Sequence, residues 1–142
     1  MPFRVTLECQ MKGKISEKSI MKSLLIVAHG SRREKSNEEV RQLAERIAVN
    51  TQSGFDEVTA AFLELAIPSI PEGLEACIQR GATDVIVFPY FLAAGRHVVE
   101  DIPQEISPVT NKHPEVKVQI APHLGLSSAL PEIILDVADQ VK

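Results

Sequence analysis

Four short runs of strand-forming residues, each followed by a stretch long enough for a helix or crossover, constrain this chain more than any other feature. They are SLLIVA (Ser23–Ala28), EVTAAFL (Glu57–Leu63), DVIVFP (Asp84–Pro89) and VKVQIA (Val116–Ala121). Such alternation predicts a three-layer α/β domain with a parallel sheet, because parallel neighbours need a crossover that a helix supplies. LLIV and VIVF are apolar throughout, as strands covered on both faces are, whereas VKVQI alternates and suits an edge. VTAAFL lies in between. The simplest sheet puts the first and third strands in the middle, in the order 2-1-3-4. Right-handed crossovers then place helices on both faces.

The segments between the runs read as helices. Ser36–Asn50 carries Val40, Leu43 and Ile47 at helical spacing. Ser69, with Glu72 three residues on, predicts a capping box for a helix whose stripe is Ile70, Leu74, Cys77 and Ile78 and which Gly81 stops. His97 to about Lys112 is mostly helical, with Pro103 and Pro108 expected to shorten or kink it. Ser128–Val141 is the last helix, striped by Leu130, Ile133, Ile134, Val137 and Val141. Residues 1–20 are polar and weakly patterned. They are expected to form a mobile extension, with a short strand at Arg4–Glu8 as the alternative, ahead of one domain spanning 21–142.

At 142 residues, 44% hydrophobic and 24% charged, the chain suits one globular domain with a real core. A net charge of −4 without a basic cluster argues against nucleic acid as a partner. The longest apolar run falls far below the roughly 18 residues of a membrane span and lies too deep in the chain for a signal peptide. Cys9 and Cys77 lack metal-ligand spacing. A reducing, cytoplasmic setting with Cys77 as a core residue is expected.

Three side chains fall at the carboxyl edge of this sheet. His29 ends the first strand, Glu64 ends the second, and His97 follows the third after the linker YFLAAGR. The connections leave strands one and three in opposite directions, which makes a switch-point crevice between His29 and His97. Two imidazoles and a carboxylate suit a first-row divalent metal. Each also has a plainer reading, the histidines as loop hydrogen-bonders and Glu64 as a turn cap. Gly30 would suit a phosphate loop or an oxyanion loop, but neither glycine-rich phosphate motif nor a G-x-S-x-G elbow is present. Arg32, Arg33 and Arg96 adjoin the two histidines and could pair with ligand carboxylates, while Lys35 reads as solvated. His113 is expected in an exposed turn and His123 in a loop role.

Together, LLIVAHGSR, FLELAIPSIPEGL and VIVFPYFLAAGRHVVEDIP resemble the sirohydrochlorin chelatases, the ATP-independent metal chelatases of cobalamin and siroheme synthesis. The resemblance runs from about Lys22 to Leu124, and the ordered trio, separated by 35 and 33 residues, is its most specific part. It implies a chelatase-like, flavodoxin-like domain of the small single-domain form, acting as a homodimer that supplies both halves of a cleft. It also implies His29 as metal ligand and proton acceptor, His97 as second metal ligand, and Glu64 in the metal–substrate site. Leu92, Ala93, Ala94, Gly95, Arg96 and His97 would form the loop against the macrocycle. The implied reaction is insertion of cobalt(II) into sirohydrochlorin, with iron(II) insertion, or a non-catalytic metal or tetrapyrrole carrier, as alternatives. Cobalt, iron or nickel would be a substrate, and no tightly bound cofactor is implied.

Overall fold

The computed structural model describes residues 19–50 and 52–141. Its four strands are β1 (Lys22–Ala28), β2 (Glu57–Phe62), β3 (Asp84–Pro89) and β4 (Lys117–Ile120). Its α-helices are α1 (Glu34–Ala48), α2 (Ile70–Gln79), α3 (Ile102–Lys112) and α4 (Leu130–Asp139). All strand pairs are parallel and the sheet order is β2-β1-β3-β4, as expected. The extension and the alternative strand at Arg4–Glu8 lie outside the described residues, apart from Ser19 and Ile20. No helix among the described residues is long and apolar enough to cross a membrane.

One face of the sheet is well covered. Leu25 and Val27 of β1 and Val85 and Val87 of β3 pack there against Ile70, Leu74 and Cys77 of α2 and Ile102, Ile106 and Val109 of α3. Burial raises the Cys77 thiol above its ordinary range, which keeps it protonated. The opposite face carries Ile26, Ala28, Val58, Ala60 and Phe62 against Ala44, Val40 and Ile47 of α1. Covering is incomplete there. Ile86 and Phe88 of β3 are half-buried rather than buried, which corrects the expectation that the third strand is covered on both faces.

Local signals explain most element ends. Ser69 and Glu72 form the expected reciprocal capping box, and positive-φ Gly81 follows α2. Before α3 the chain makes a wide turn at His97–Asp101, in which the Ile102 N–H donates to the His97 carbonyl five residues back. Pro103 therefore sits in the first turn of α3, where its missing donor costs nothing. Pro108 is tolerated inside the helix, on its exposed side. The segment is mostly helical as expected, a π-turn followed by an 11-residue helix that its prolines do not shorten.

Near the amino end of the sheet, the buried Ser23 hydroxyl donates to Glu57 Oε2 at 2.8 Å, and Arg80 Nε donates to Glu57 Oε1 at 2.7 Å. Burial alone would raise the Glu57 carboxyl. The hydrogen bonds from Arg80 and Ser23 and the Arg80 charge outweigh it and hold the group below its ordinary range. The resulting stability is fully present above the unfolded carboxyl pKa of about 4.3 and is lost as pH falls through the lower folded value. Glu57→Gln should flatten the acid limb of a plot of urea midpoint against pH. At neutral pH it should cost only about 1–2 kcal/mol, because the half-exposed Arg80 can rehydrate.

Candidate metal-insertion site

The β1–β2 ladder continues past the strands and carries His29 and Glu64 to the same edge. Leu63 N–H donates to the Ala28 carbonyl at 3.0 Å, and Glu64 N–H donates to the His29 carbonyl at 3.1 Å. Gly30 follows in the left-handed region (φ 95°), and a Cβ there would overlap the Glu64 carbonyl oxygen. Only glycine lets these two loops touch. Leu65 then takes φ 67°, unusual for a branched side chain, and turns the chain back toward Pro68, whose carbonyl accepts the Phe62 N–H.

Two side chains on α1 fasten these loops. Asn37 is 2% exposed, accepts the Ser31 N–H through Oδ1 at 2.9 Å, and donates from Nδ2 to the Ser31 carbonyl at 2.8 Å. It thereby fixes the turn after His29. Arg41 binds Glu34 at 2.6 Å and donates to the Ile67 carbonyl at 3.1 Å, tying the Glu64 loop to the same helix. The hydrogen bond from Arg41 is the main reason the Glu34 carboxyl is held low.

The third residue arrives from the far side. His97 opens the π-turn, and its ring meets that of His29 edge-on, with centroids 4.7 Å apart and planes at 77°. His97 Nδ1 donates to Asp101 Oδ2 at 2.7 Å, and His29 Nδ1 donates to the Gly30 carbonyl at 3.2 Å. Nε2 of each ring is consequently left without a backbone partner. His29 Nε2 lies 3.4 Å from Glu64 Oε2. His29 thus touches both other members of the trio, and the side chains of all three are 43–56% exposed. Among the described residues, no three His, Cys, Asp or Glu side chains close into a preformed metal cage.

The expected loop, Leu92 to His97, is exposed throughout. Its start is held from behind, where Gly125 N–H donates to the Phe91 carbonyl at 3.0 Å and a Cβ on Gly125 would overlap the Leu92 carbonyl. Arg32, Arg33, Lys35 and Arg96 are exposed, and Arg96 makes one long contact with Glu100 at 3.8 Å. Leu65, Ile67, Leu92 and Val99 add an exposed apolar rim to these loops.

Sequence reasoning did not single out Asn37, Asp101 or Gly125. An acid four residues after His97, on one helical face with it, was the signal for Asp101. His113 is not the exposed group expected of its turn. Its side chain is 17% exposed and Nε2 lies 3.1 Å from Glu75 Oε2, because α2 and α3 pack together there. His123 keeps its loop role, its carbonyl accepting the Leu126 N–H.

A model of the CbiX family matches residues 23–141, which takes in every strand except the first residue of β1 and all four helices. The chain belongs to the CbiX family. Among CbiX-family relatives, the sirohydrochlorin ferrochelatase of Priestia megaterium is 35% identical over 120 residues, covering 84% of this chain and 44% of that protein. The sirohydrochlorin cobaltochelatase of Sulfolobus acidocaldarius is 32% identical over 120 residues, covering 84% of this chain and 92% of that one. The chain therefore spans less than half of the Priestia relative and nearly all of the Sulfolobus one. Among solved structures, SirB of Bacillus subtilis with Fe3+ matches at a TM-score of 0.76 and 29% identity, covering 86% of this chain and 48% of that one. The cobalamin (vitamin B12) biosynthesis CbiX protein of Marinobacter aquaeolei VT8 matches at a TM-score of 0.69 and 30% identity, covering 84% and 95%.

Proposed function

We propose that this CbiX-family protein inserts a divalent metal into sirohydrochlorin without ATP, with cobalt favoured over iron. The observation that carries this reading is the contact of His29 with both Glu64 and His97 at one exposed sheet edge, with both imidazole Nε2 atoms unengaged by backbone. Insertion requires a metal to shed water and two pyrrole N–H protons to leave. A half-open pair of imidazoles holds a first-row ion and keeps positions for the incoming ring nitrogens. His29 accepts a ring proton through its imidazole, and Glu64 beside it takes the second or steadies the ion. Arg32, Arg33 and Arg96 meet the substrate's carboxylates. Leu92 to His97, with the apolar rim, lie against the macrocycle face.

Two copies of the chain, facing edge to edge, would enclose the ring. The Priestia relative, more than twice the matched length, supports a two-domain cleft built here from a homodimer. The buried free thiol of Cys77 suits a cytoplasmic setting. Relatives named for cobalt and for iron share similar identity, so anaerobic initial rates with each metal at equal concentration test the preference. Cobalt is expected to be faster, and a faster iron rate would move the protein to siroheme synthesis.

Asp101 has a role in this reading as a positioning residue. It orients His97 through Nδ1 and leaves Nε2 toward the site. Asp101→Ala is expected to cut the insertion rate roughly 10- to 100-fold. Asp101→Asn, which can still accept from Nδ1, should recover part of it, whereas a purely structural role predicts no such rescue at equal thermal stability.

A further inference from the structure

His29 and Glu64 stand on different loops with half-exposed side chains, so packing alone does not fix their separation. The backbone beneath them has to do so. The loop after β2 is closed at its neck, where the Phe62 N–H donates to the Pro68 carbonyl, and the ladder holds its start through Leu63 and Glu64. Beyond Glu64 the fastening thins. Leu65 and Ile67 are 52% and 75% exposed, and Leu65 sits at φ 67°. A branched residue keeps that conformation only where its surroundings over-determine it.

Arg41 supplies the missing restraint. Its Nη2 donates to the Ile67 carbonyl at 3.1 Å, and among the described residues no other side chain hydrogen-bonds to the backbone of residues 63–67. The guanidinium lies 5.3 Å from the centre of the Phe62 ring, which is fully buried at the end of β2. From Nη1 it donates to Glu34 Oε2 at 2.6 Å and to Glu38 Oε1 at 3.3 Å. A planar fork set over a ring and paired with carboxylates is oriented in advance, so the donor for Ile67 is already aimed. Engaged in this way, Arg41 is not one of the arginines offered to substrate carboxylates.

Glu34 carries the restraint across to the other loop. Its Oε1 accepts from Asn37 Nδ2 at 3.2 Å, and Asn37 holds both backbone groups of Ser31, two residues after His29. The links therefore close a circuit. It runs from His29 through Ser31, Asn37, Glu34, Arg41 and Ile67 to Glu64, whose N–H returns to the His29 carbonyl. A satisfied circuit of hydrogen bonds fixes two loops more rigidly than one ladder bond between them can.

We propose that Arg41 is a positioning residue for metal insertion: anchored on Glu34 and Asn37, it holds the loop of Glu64 at a fixed place against His29. Arg41 touches neither macrocycle nor metal in this scheme and acts through Glu64. The role rests on the insertion reading given above.

The full chain is compared with Arg41→Ala and with Glu34→Ala, which cuts the circuit at an exposed carboxylate and leaves Arg41 over the Phe62 ring. Both variants are expected to lower kcat for cobalt insertion about 10-fold, the low end for loss of an orienting group, with KM for sirohydrochlorin held within about twofold. In a Glu64→Ala background, Arg41→Ala should slow the reaction by less than about twofold, because the group it places is gone. An equal loss in both backgrounds, or no loss in the parent, would overturn the proposal. Amide hydrogen exchange gives a readout that does not use activity. Exchange at Glu64, whose N–H closes the circuit, should quicken at least about 10-fold in both variants while β1 and β3 keep their protection. Unchanged exchange at Glu64, or an equal loss of protection across the sheet, would count against the role. If the unsubstituted chain inserts no metal, the proposed function falls, and exchange at Glu64 decides whether Arg41 holds that loop. An active chain indifferent to the loss of Arg41 removes the positioning role and leaves the proposed function standing.

Discussion

Replacing His29 by alanine is expected to lower the rate of metal insertion into sirohydrochlorin by at least about 100-fold, the lower end for loss of a positioned acid–base group. His29 is the one residue in contact with both other members of the trio, so its loss would remove the proposed metal ligand and the proposed proton acceptor together. The fold should barely respond. The ring is 43% exposed, and its protein contacts are one backbone carbonyl, one exposed carboxylate and one neighbouring ring. A change in urea midpoint worth more than about 1 kcal/mol would show that the residue is structural. His97→Ala should act in the same direction. Loss of Glu64 should cost less, since a carboxylate at 56% exposure can be replaced in part by solvent.

Gly30→Ala is expected to produce the largest stability loss of any single methyl addition in the site. The position combines φ 95° with direct contact on the Glu64 carbonyl, so an alanine there is strained twice. Each strain costs about 1–3 kcal/mol, which places the total at about 2–6 kcal/mol. For a domain of this size, that corresponds to a fall in melting temperature of roughly 10 °C or more. Relief would come by pushing apart the loops of His29 and Glu64. The variant should therefore also lose insertion activity at temperatures where it remains folded. Gly54, with a similar φ of 81° but open space around it, isolates the conformational part. Gly54→Ala should lose stability modestly and keep activity.

The two predictions differ in kind because sequence and contact carry different information. Strand order was legible because LLIV and VIVF cannot stand at an edge and VKVQI can. The trio was legible because each member follows a strand that could be placed. What a strand's second face meets was not legible. Phe88 reads as core but stays half-buried, while the apolar stripe of α4 lies exposed. The supporting residues were hidden for a related reason. Asn37 looks like any polar residue in a charged helix until the fold brings it under the Ser31 turn. Gly125 matters only because Phe91 and Leu92, over thirty residues earlier, lie against it. The π-turn at His97 shows the converse, since Pro103 reads locally as a break yet falls where a helix needs no donor.

Catalysis of metal insertion is proposed for the edge bearing His29, Glu64 and His97. It is tested most directly by mixing the purified chain with sirohydrochlorin and cobalt(II) under anaerobic conditions and following the absorption of the macrocycle. Many equivalents of metallated product per chain are expected, formed at a rate well above the spontaneous one. A rate no greater than the spontaneous one, or product that stops at one equivalent per chain, would contradict it.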